Sequence, residues 1–418
     1  MAKLSKLAES LTGSEIVRLG NEINDRIRQG EKIYNFTIGD FDPAIFPIPH
    51  ELEELIVESY QKHNTNYPPG AGLLELRKAV AGFIKEWEGL EYSPDEIQIA
   101  CGGRPLIYTL FKSIVDKDDK VIYAVPSWNN NHYVHINEGR HCVIEAVPEN
   151  NFLPTAEEIA PNIPGASLIC LCTPQNPTGT TYSKNELEKI CDLVIEENRK
   201  RGENEKKLYL MFDQMYWNLT YGNTQHFNPV SLRPEMKNYT VFIDGISKAF
   251  AATGVRVGWA FGPAEIIGKM RALLSHIGAW APMAEQKATA QYLAQSECIN
   301  QYLGKFRSAL EERLEKVYQG FMKLKAKGYN ADAIAPQAAI YLTVKFDFAG
   351  KKFNGKILTQ PDVTDYILRE AWLAVVPFYA FGASRQSPWY RLSVGACRLE
   401  EIDDVFNGLE NALKKLEE

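Results

Sequence analysis

The chain has 418 residues, with 46 Lys and Arg against 53 Asp and Glu and a formal net charge of -7. That length exceeds what one hydrophobic core usually supports, so two domains are expected. Hydrophobic residues at 45% and charged residues at 24% exclude a disordered or fibrous chain, and charges scattered along the sequence form no basic stripe for nucleic acid.

Met1-Ala-Lys-Leu-Ser-Lys6 lacks the apolar core of a secretory signal, and no run of about 18 apolar residues marks a membrane span. The 7 cysteines are odd in number and dispersed, as reduced residues of a cytoplasmic protein would be. Cys170 and Cys172 flank one leucine in an apolar run, a spacing that suits one face of a sheet better than a zinc site. No metal is expected.

The first ~45 residues carry little strand periodicity and are expected to cross over to a C-terminal domain. From about residue 95 to 265, apolar runs alternate with helical patterns, the signature of an α/β fold with a mainly parallel sheet covered by helices. The expected strands include Ile97 to Ala100, Lys120 to Ala124, Ser167 to Cys172, Leu208 to Phe212 and Thr240 to Ile243. Several are continuous apolar runs, as strands covered on both faces require. A large domain is expected over 46–305, and a smaller α+β domain over 1–45 and 306–418.

Ala100-Cys-Gly-Gly-Arg-Pro-Leu-Ile-Tyr108 leads from a strand through Gly102 and Gly103 towards a helix. Free N–H groups and the helix dipole there favour an anion, although a Gly-Gly pair is by itself only a turn signal. Ser183 followed by Glu186 forms a capping-box pattern before Leu187, Ile190, Cys191, Val194 and Ile195. The charged stretch from Glu196 to Lys207 reads as a solvated helix end and loop.

The run Leu208 to Phe212 delivers Asp213 to the carboxyl end of a strand, where open α/β sheets bind ligands. A carboxylate there can hold a pyridine nitrogen protonated, or it can simply cap a turn. Tyr216 follows three positions later. The strand beginning at Thr240 runs into a glycine-punctuated loop with Ser247, Lys248 and Arg256. A desolvated lysine amine is a nucleophile towards carbonyls, and arginine offers phosphate a two-pronged donor; alone, each is as ordinary as any surface cation.

No Gly-x-Gly-x-x-Gly follows a strand, which excludes a nicotinamide-binding motif. Gly245-Ile-Ser247 lacks the second glycine of a nucleophile elbow, which excludes a serine hydrolase. Beyond Phe306, a long helix places Leu310, Leu314, Val317, Phe321 and Leu324 on one face, before short strands and a final helix.

Taken in order, Ile38-Gly39-Asp40, Tyr67-Pro-Pro-Gly-Ala-Gly72, Pro126-Ser-Trp128, Asn176-Pro177-Thr178-Gly179, Asp213-Gln-Met-Tyr216, Ser247-Lys248 with Arg256, and Trp389-Tyr-Arg-Leu-Ser393 span nearly the whole chain. This ordered set resembles the class I, fold type I aminotransferases that depend on pyridoxal 5'-phosphate (PLP), in wording those of bacterial aspartate aminotransferases. The resemblance implies the PLP-dependent transferase fold type I and a Lys248 that holds the cofactor as a Schiff base and moves the substrate Cα proton. It implies that Asp213 pairs with the pyridinium nitrogen, that Asn176 and Tyr216 bind the phenolic oxygen, and that Trp128 stacks on the ring.

By the same resemblance, Arg256, Ser247 and the amides around Gly102, Gly103 and Arg104 hold the phosphate, and Tyr67 does so across a subunit boundary, which implies a homodimer. Arg391 corresponds to the arginine for the substrate α-carboxylate. Gly39 lies on the loop that closes over substrate, with Trp128 and Asn176 beside it, and the Arg104 side chain is placed for a distal carboxylate. The expected reaction moves an amino group from aspartate or glutamate to a 2-oxo acid such as 2-oxoglutarate. Gly278-Ala-Trp-Ala-Pro282, Gln337-Ala-Ala-Ile-Tyr341 and Phe378-Tyr-Ala-Phe-Gly382 depart from the usual pattern at the pocket border. Trp280 and Phe381 would suit an aromatic donor instead, and a PLP-dependent lyase would need the same core residues.

Overall fold

A computed structural model describes residues 3–417. Its central sheet has 7 strands in the edge-to-edge order Ile97–Ala100, Gly258–Phe261, Thr240–Gly245, Tyr209–Asp213, Ala166–Cys172, Lys120–Val125 and Arg140–Glu145. All neighbours are parallel except around Gly258–Phe261, which runs antiparallel to both of the strands beside it. The sheet is therefore mixed, although most of its ladder is parallel.

The apolar strands are buried on both faces because helices cover both. Alternate residues go to opposite sides. Val241 and Ile243 pack with Leu106, Leu110, Ile267 and Met270 of the helices Gly103–Ile114 and Ala264–Ile277. Leu210, Phe212 and Phe242 face the other way, onto Val80, Phe83, Leu187 and Ile190 of the helices Leu74–Glu88 and Lys184–Lys200.

The expected cap at Ser183 forms by half. Ser183 Oγ accepts from the Glu186 N–H at 3.3 Å, but the Glu186 carboxylate takes the N–H of Ala156 at 2.6 Å instead of returning to Ser183. Ala156 opens the neighbouring helix Ala156–Ile159, and an unsatisfied amide at a helix start competes for a carboxylate.

A second sheet is antiparallel, in the order Val376–Pro377, Trp389–Ser393, Tyr341–Phe346, Ala331–Ala333. The helix Ser296–Ala326 joins the two layers. Its Ile299 and Leu303 belong to the core beneath the large sheet, whereas Phe306, Leu310, Leu314, Val317, Phe321 and Leu324 pack with the second sheet and with the helices Gln360–Glu370 and Glu401–Leu413.

The N-terminal segment also reaches this part: Tyr34–Asn35 pairs in parallel with Leu373–Ala374, and Ile16 of the helix Glu15–Arg28 packs with Phe378 and Phe381. Among the described residues, no helix is long and apolar enough to cross a membrane.

Candidate active site

A cavity of about 590 Å³ opens where the carboxyl ends of the central strands meet the second sheet and the N-terminal helix. Its walls include Gly39, Gly103, Arg104, Trp128, Asn176, Asp213, Tyr216, Ser247, Lys248, Arg256 and Arg391. Gly103, Arg104, Trp128, Asn176, Asp213 and Lys248 converge because parallel strands deliver their following loops to one edge of the sheet, whereas the N-terminal segment brings Gly39 and the second sheet brings Arg391 to the same place.

Asp213 ends its strand and accepts the Met215 N–H at 3.1 Å, so it both occupies the strand end and caps the turn that follows. Desolvation pushes its carboxyl up to about 6, and the Met215 N–H is the one group that opposes this. Lys248 lies in the short helix Ile246–Ala249, directly after the strand Thr240–Gly245. Its Nζ donates to the Gly39 carbonyl at 2.6 Å. Burial lowers it from 10.5 to about 8; Asp40 opposes the shift, and Arg391, Arg256 and Arg104 add to it.

Arg391 sits buried in the strand Trp389–Ser393. One terminal nitrogen donates to Asn176 Oδ1 at 3.1 Å and the other to the Thr37 carbonyl at 2.7 Å, while Nε has no partner. The rings of Tyr341 and Phe381 lie 4.6 Å and 5.0 Å from the guanidinium carbon. Tyr216 and Tyr341 join their hydroxyls at 2.6 Å, and burial holds the Tyr216 hydroxyl well above its ordinary range.

On the other side, Gly102 adopts φ +90° just before the helix Gly103–Ile114, and a Cβ there would collide with the Arg256 guanidinium. Arg256 is held by the carbonyls of Thr253 at 2.7 Å and Cys101 at 2.8 Å. A helix start with open N–H groups and a fixed guanidinium makes this corner a site for a phosphate-like anion. Arg104 is exposed, with its guanidinium carbon 5.2 Å from the Trp128 ring centre.

Two expected contributors lie elsewhere. Tyr67 is 84% exposed and meets Trp280 edge-on at 5.8 Å, and both line a separate cavity of about 480 Å³. Within one chain neither lines the main cavity. Phe381 packs against Arg391 rather than lining the space.

Conversely, Tyr341, Thr37, Asp40, Thr253 and the helix residues Ile16, Val17, Gly20, Asn21 and Asn24 line the cavity without having been singled out as site residues. The Gln337–Tyr341 turn marks the approach of Tyr341, the spacing of Ile16, Gly20 and Asn24 is the helical signal for the helix residues, and Thr37, Asp40 and Thr253 lie outside helices and strands, where no periodicity marks them.

The sequence pattern of the family described as aminotransferase class I and II matches residues 31–409. An aspartate aminotransferase from Bacillus sp. (strain YM-2) is 30% identical over 384 residues, covering 91% of this chain and 92% of its own. The solved aspartate aminotransferase of Rhizobium meliloti superposes with a TM-score of 0.88 at 27% identity, covering 100% of both chains. That of Thermus thermophilus with maleate gives 0.87 at 28% identity, covering 99% of this chain and 100% of its own. With a sheet-end cavity that gathers a desolvated lysine, an unpaired acid and two fixed guanidinium groups, the chain belongs to the class I and II aminotransferases and is a PLP-dependent transaminase.

Proposed function

We propose that this transaminase takes its amino group from a dicarboxylic amino acid, aspartate or glutamate, and passes it to a 2-oxo acid such as 2-oxoglutarate. The observation that carries the choice of donor is Arg104, a guanidinium at the cavity wall that has no ion-pair partner among the described residues and is steered by the face of Trp128. Arg391 takes the α-carboxylate at the far side, so two cations remain for two carboxylates. The names of the aspartate aminotransferase relatives, and the dicarboxylate maleate of the Thermus structure, support the same reading.

The residues present fit PLP. Asp213 is a desolvated acid without a cation, the place for a pyridinium N–H. Arg256, Ser247 and the amides at Gly103 and Arg104, with Gly102 giving the close approach, would hold the phosphate. Asn176 and Tyr216 would serve the phenolic oxygen, and Trp128 would face the ring. When bound, the cofactor supplies an electron sink for the pair released at the substrate Cα.

Lys248 is the amine that would carry the cofactor covalently, and it is placed to move the proton at the substrate Cα. Lowered to about 8 by burial, it is partly neutral near pH 7 and able to accept a proton. Arg391 orients the substrate, with Asn176 and Thr37 fixing its fork, and the Gly39 loop closes the site against water.

The division into 46–305 and 1–45 with 306–418 is supported by the change of core along the helix Ser296–Ala326 between Leu303 and Phe306. A cytoplasmic homodimer, in which a second copy brings Tyr67 to the phosphate, completes the reading. Its support is the outward display of Tyr67 beside the otherwise unpartnered Trp280 indole nitrogen.

The test is to follow the absorbance of the bound cofactor while holoenzyme is mixed with single amino acids. Arg104→Ala is expected to weaken kcat/KM about tenfold for aspartate and glutamate and to leave phenylalanine unchanged, the effect of losing one charge-assisted hydrogen bond. An equal loss on aspartate and phenylalanine would reject the donor assignment.

A further inference from the structure

Adjacent residues of a strand face opposite sides of a sheet, and here the side away from the cavity holds a polar cluster. Asp213 lines the cavity, and the next residue, Gln214, is buried on the reverse face. On the neighbouring strand Ile243 lines the cavity and Asp244 is buried behind it. Gln214 Nε2 donates to Glu88 Oε1 at 2.9 Å. Trp217 Nε1 donates to Asp244 Oδ2 at 2.9 Å, and the Gly245 N–H donates to Asp244 Oδ1 at 2.7 Å.

Asp244 therefore bonds to both segments of the cofactor site. Trp217 closes the turn that bears Asp213 and Tyr216, and Gly245 leads into Ser247 and Lys248. Glu88 ends the helix Leu74–Glu88, where the dipole disfavours a negative charge. Burial, and after it the charge of Asp244, holds its carboxyl well above the ordinary carboxylate range, and burial pushes Asp244 up to about 7. Glu88 Oε2 and Gln214 Oε1 are enclosed without partners. Such an arrangement is costly for a mere filler of the core, and an apolar cluster of the same volume would pack against Phe83, which lies 5.9 Å from Trp217 and 6.4 Å from Trp259.

We propose that Glu88, Gln214 and Asp244 are positioning residues, a buried acid–amide clamp behind the sheet that holds the Asp213–Trp217 turn in register with Lys248. The clamp acts through Asp213, Tyr216 and Lys248, and the inference rests on their assignment to the cofactor. Gln214 supplies the donor, Glu88 accepts it, and Asp244 joins the turn to the strand that leads to the lysine.

The test uses holoenzyme and three readouts: the affinity of the apo-protein for PLP, the pH midpoint of the bound cofactor's absorbance, and kcat and KM for the amino donor. In Gln214→Met and Glu88→Leu the affinity is expected to fall about tenfold, the loss of one hydrogen bond to a charged or polar partner. The absorbance midpoint shifts, and kcat falls with the donor KM unchanged.

Glu88→Gln, which keeps an acceptor for the Gln214 amide, restores what Glu88→Leu removes. Asp244→Asn, close in shape, sets its amide NH2 against one of the two N–H donors that the carboxylate accepts and shifts the midpoint as well, and Glu88→Gln keeps the inference testable if a Leu or Met variant does not fold. Folded variants with a lower Tm but wild-type affinity, midpoint and kcat would reduce the cluster to a structural filler and overturn the proposal. Lys248→Ala run alongside separates the two layers: if it retained the lysine-bound absorbance, the underlying cofactor assignment would fail, whatever the clamp variants do.

Discussion

At the floor of the cavity, Arg391 is buried and held by Asn176 and Thr37, and Lys248 is held by the Gly39 carbonyl. At the mouth, Arg104 is exposed against the Trp128 ring, and on the adjoining surface Tyr67 stands 84% exposed. The floor is complete within one chain, with each charged group desolvated and aimed before any ligand arrives, which is what electrostatic preorganisation requires. The mouth is where the proposal seats the far end of the substrate and the second chain. Chemistry common to many substrates belongs on the rigid side, and the choice among them on the adaptable side.

Substitutions at the two ends should therefore differ in size and in kind. Lys248→Ala removes the amine to which the proposal gives both the cofactor and the proton, and kcat is expected to fall on the order of 10^4-fold for every donor. A fall confined to some donors, measured across a panel of amino acids, would place the lysine at the mouth rather than the floor. Arg391→Lys keeps the charge but loses the planar fork, and kcat/KM should drop about 10- to 100-fold for all amino acids alike. A loss restricted to dicarboxylates would exchange the roles given to Arg391 and Arg104.

Two smaller effects sharpen the picture of the floor. Because burial brings Lys248 down from 10.5 to about 8, the reactive neutral amine accumulates as pH rises through about 8 and is complete above it. The rate of PLP association with apo-protein, followed by absorbance, should rise through that pH and then level off; a rate still climbing towards pH 10 would show an undisturbed lysine. Tyr341→Phe leaves the enclosed Tyr216 hydroxyl without its 2.6 Å partner. The cost is about 1 kcal/mol, read as a fivefold or smaller loss in kcat with all donors affected alike.

The floor was far more legible in the sequence than the mouth. Lys120 to Ala124 and Thr240 to Ile243 announce buried strands by unbroken apolar runs, and the polar residues after such runs are placed by the fold itself. Two strands gave no such signal: Arg140–Glu145 is an edge strand with mostly exposed residues, and Gly258–Phe261 is short and hidden behind the glycine-rich loop. The antiparallel course of the latter, reached from Thr240–Gly245 through the helix Ile246–Ala249 and the loop after it, has no local pattern to betray it.

Among site residues, Asp213, Lys248 and Arg391 were readable through the ordered motifs around them. Asn21 and Asn24 were not, since an amide on an amphipathic helix looks the same whether it faces water or a cavity. The reverse-face pair Glu88 and Asp244 escaped for a related reason, because 155 residues of chain lie between two groups that only the folded sheet brings behind one turn.

Arg256 takes φ +64°, a left-handed backbone conformation that costs a side-chain-bearing residue roughly 1 kcal/mol. Glycine would relieve that strain, but it would leave the carbonyls of Thr253 and Cys101 without their donor and add backbone freedom to the unfolded chain. The same bonds that aim the guanidinium past Gly102 thus hold the backbone in its left-handed turn, and the strain and its remedy reside in one side chain.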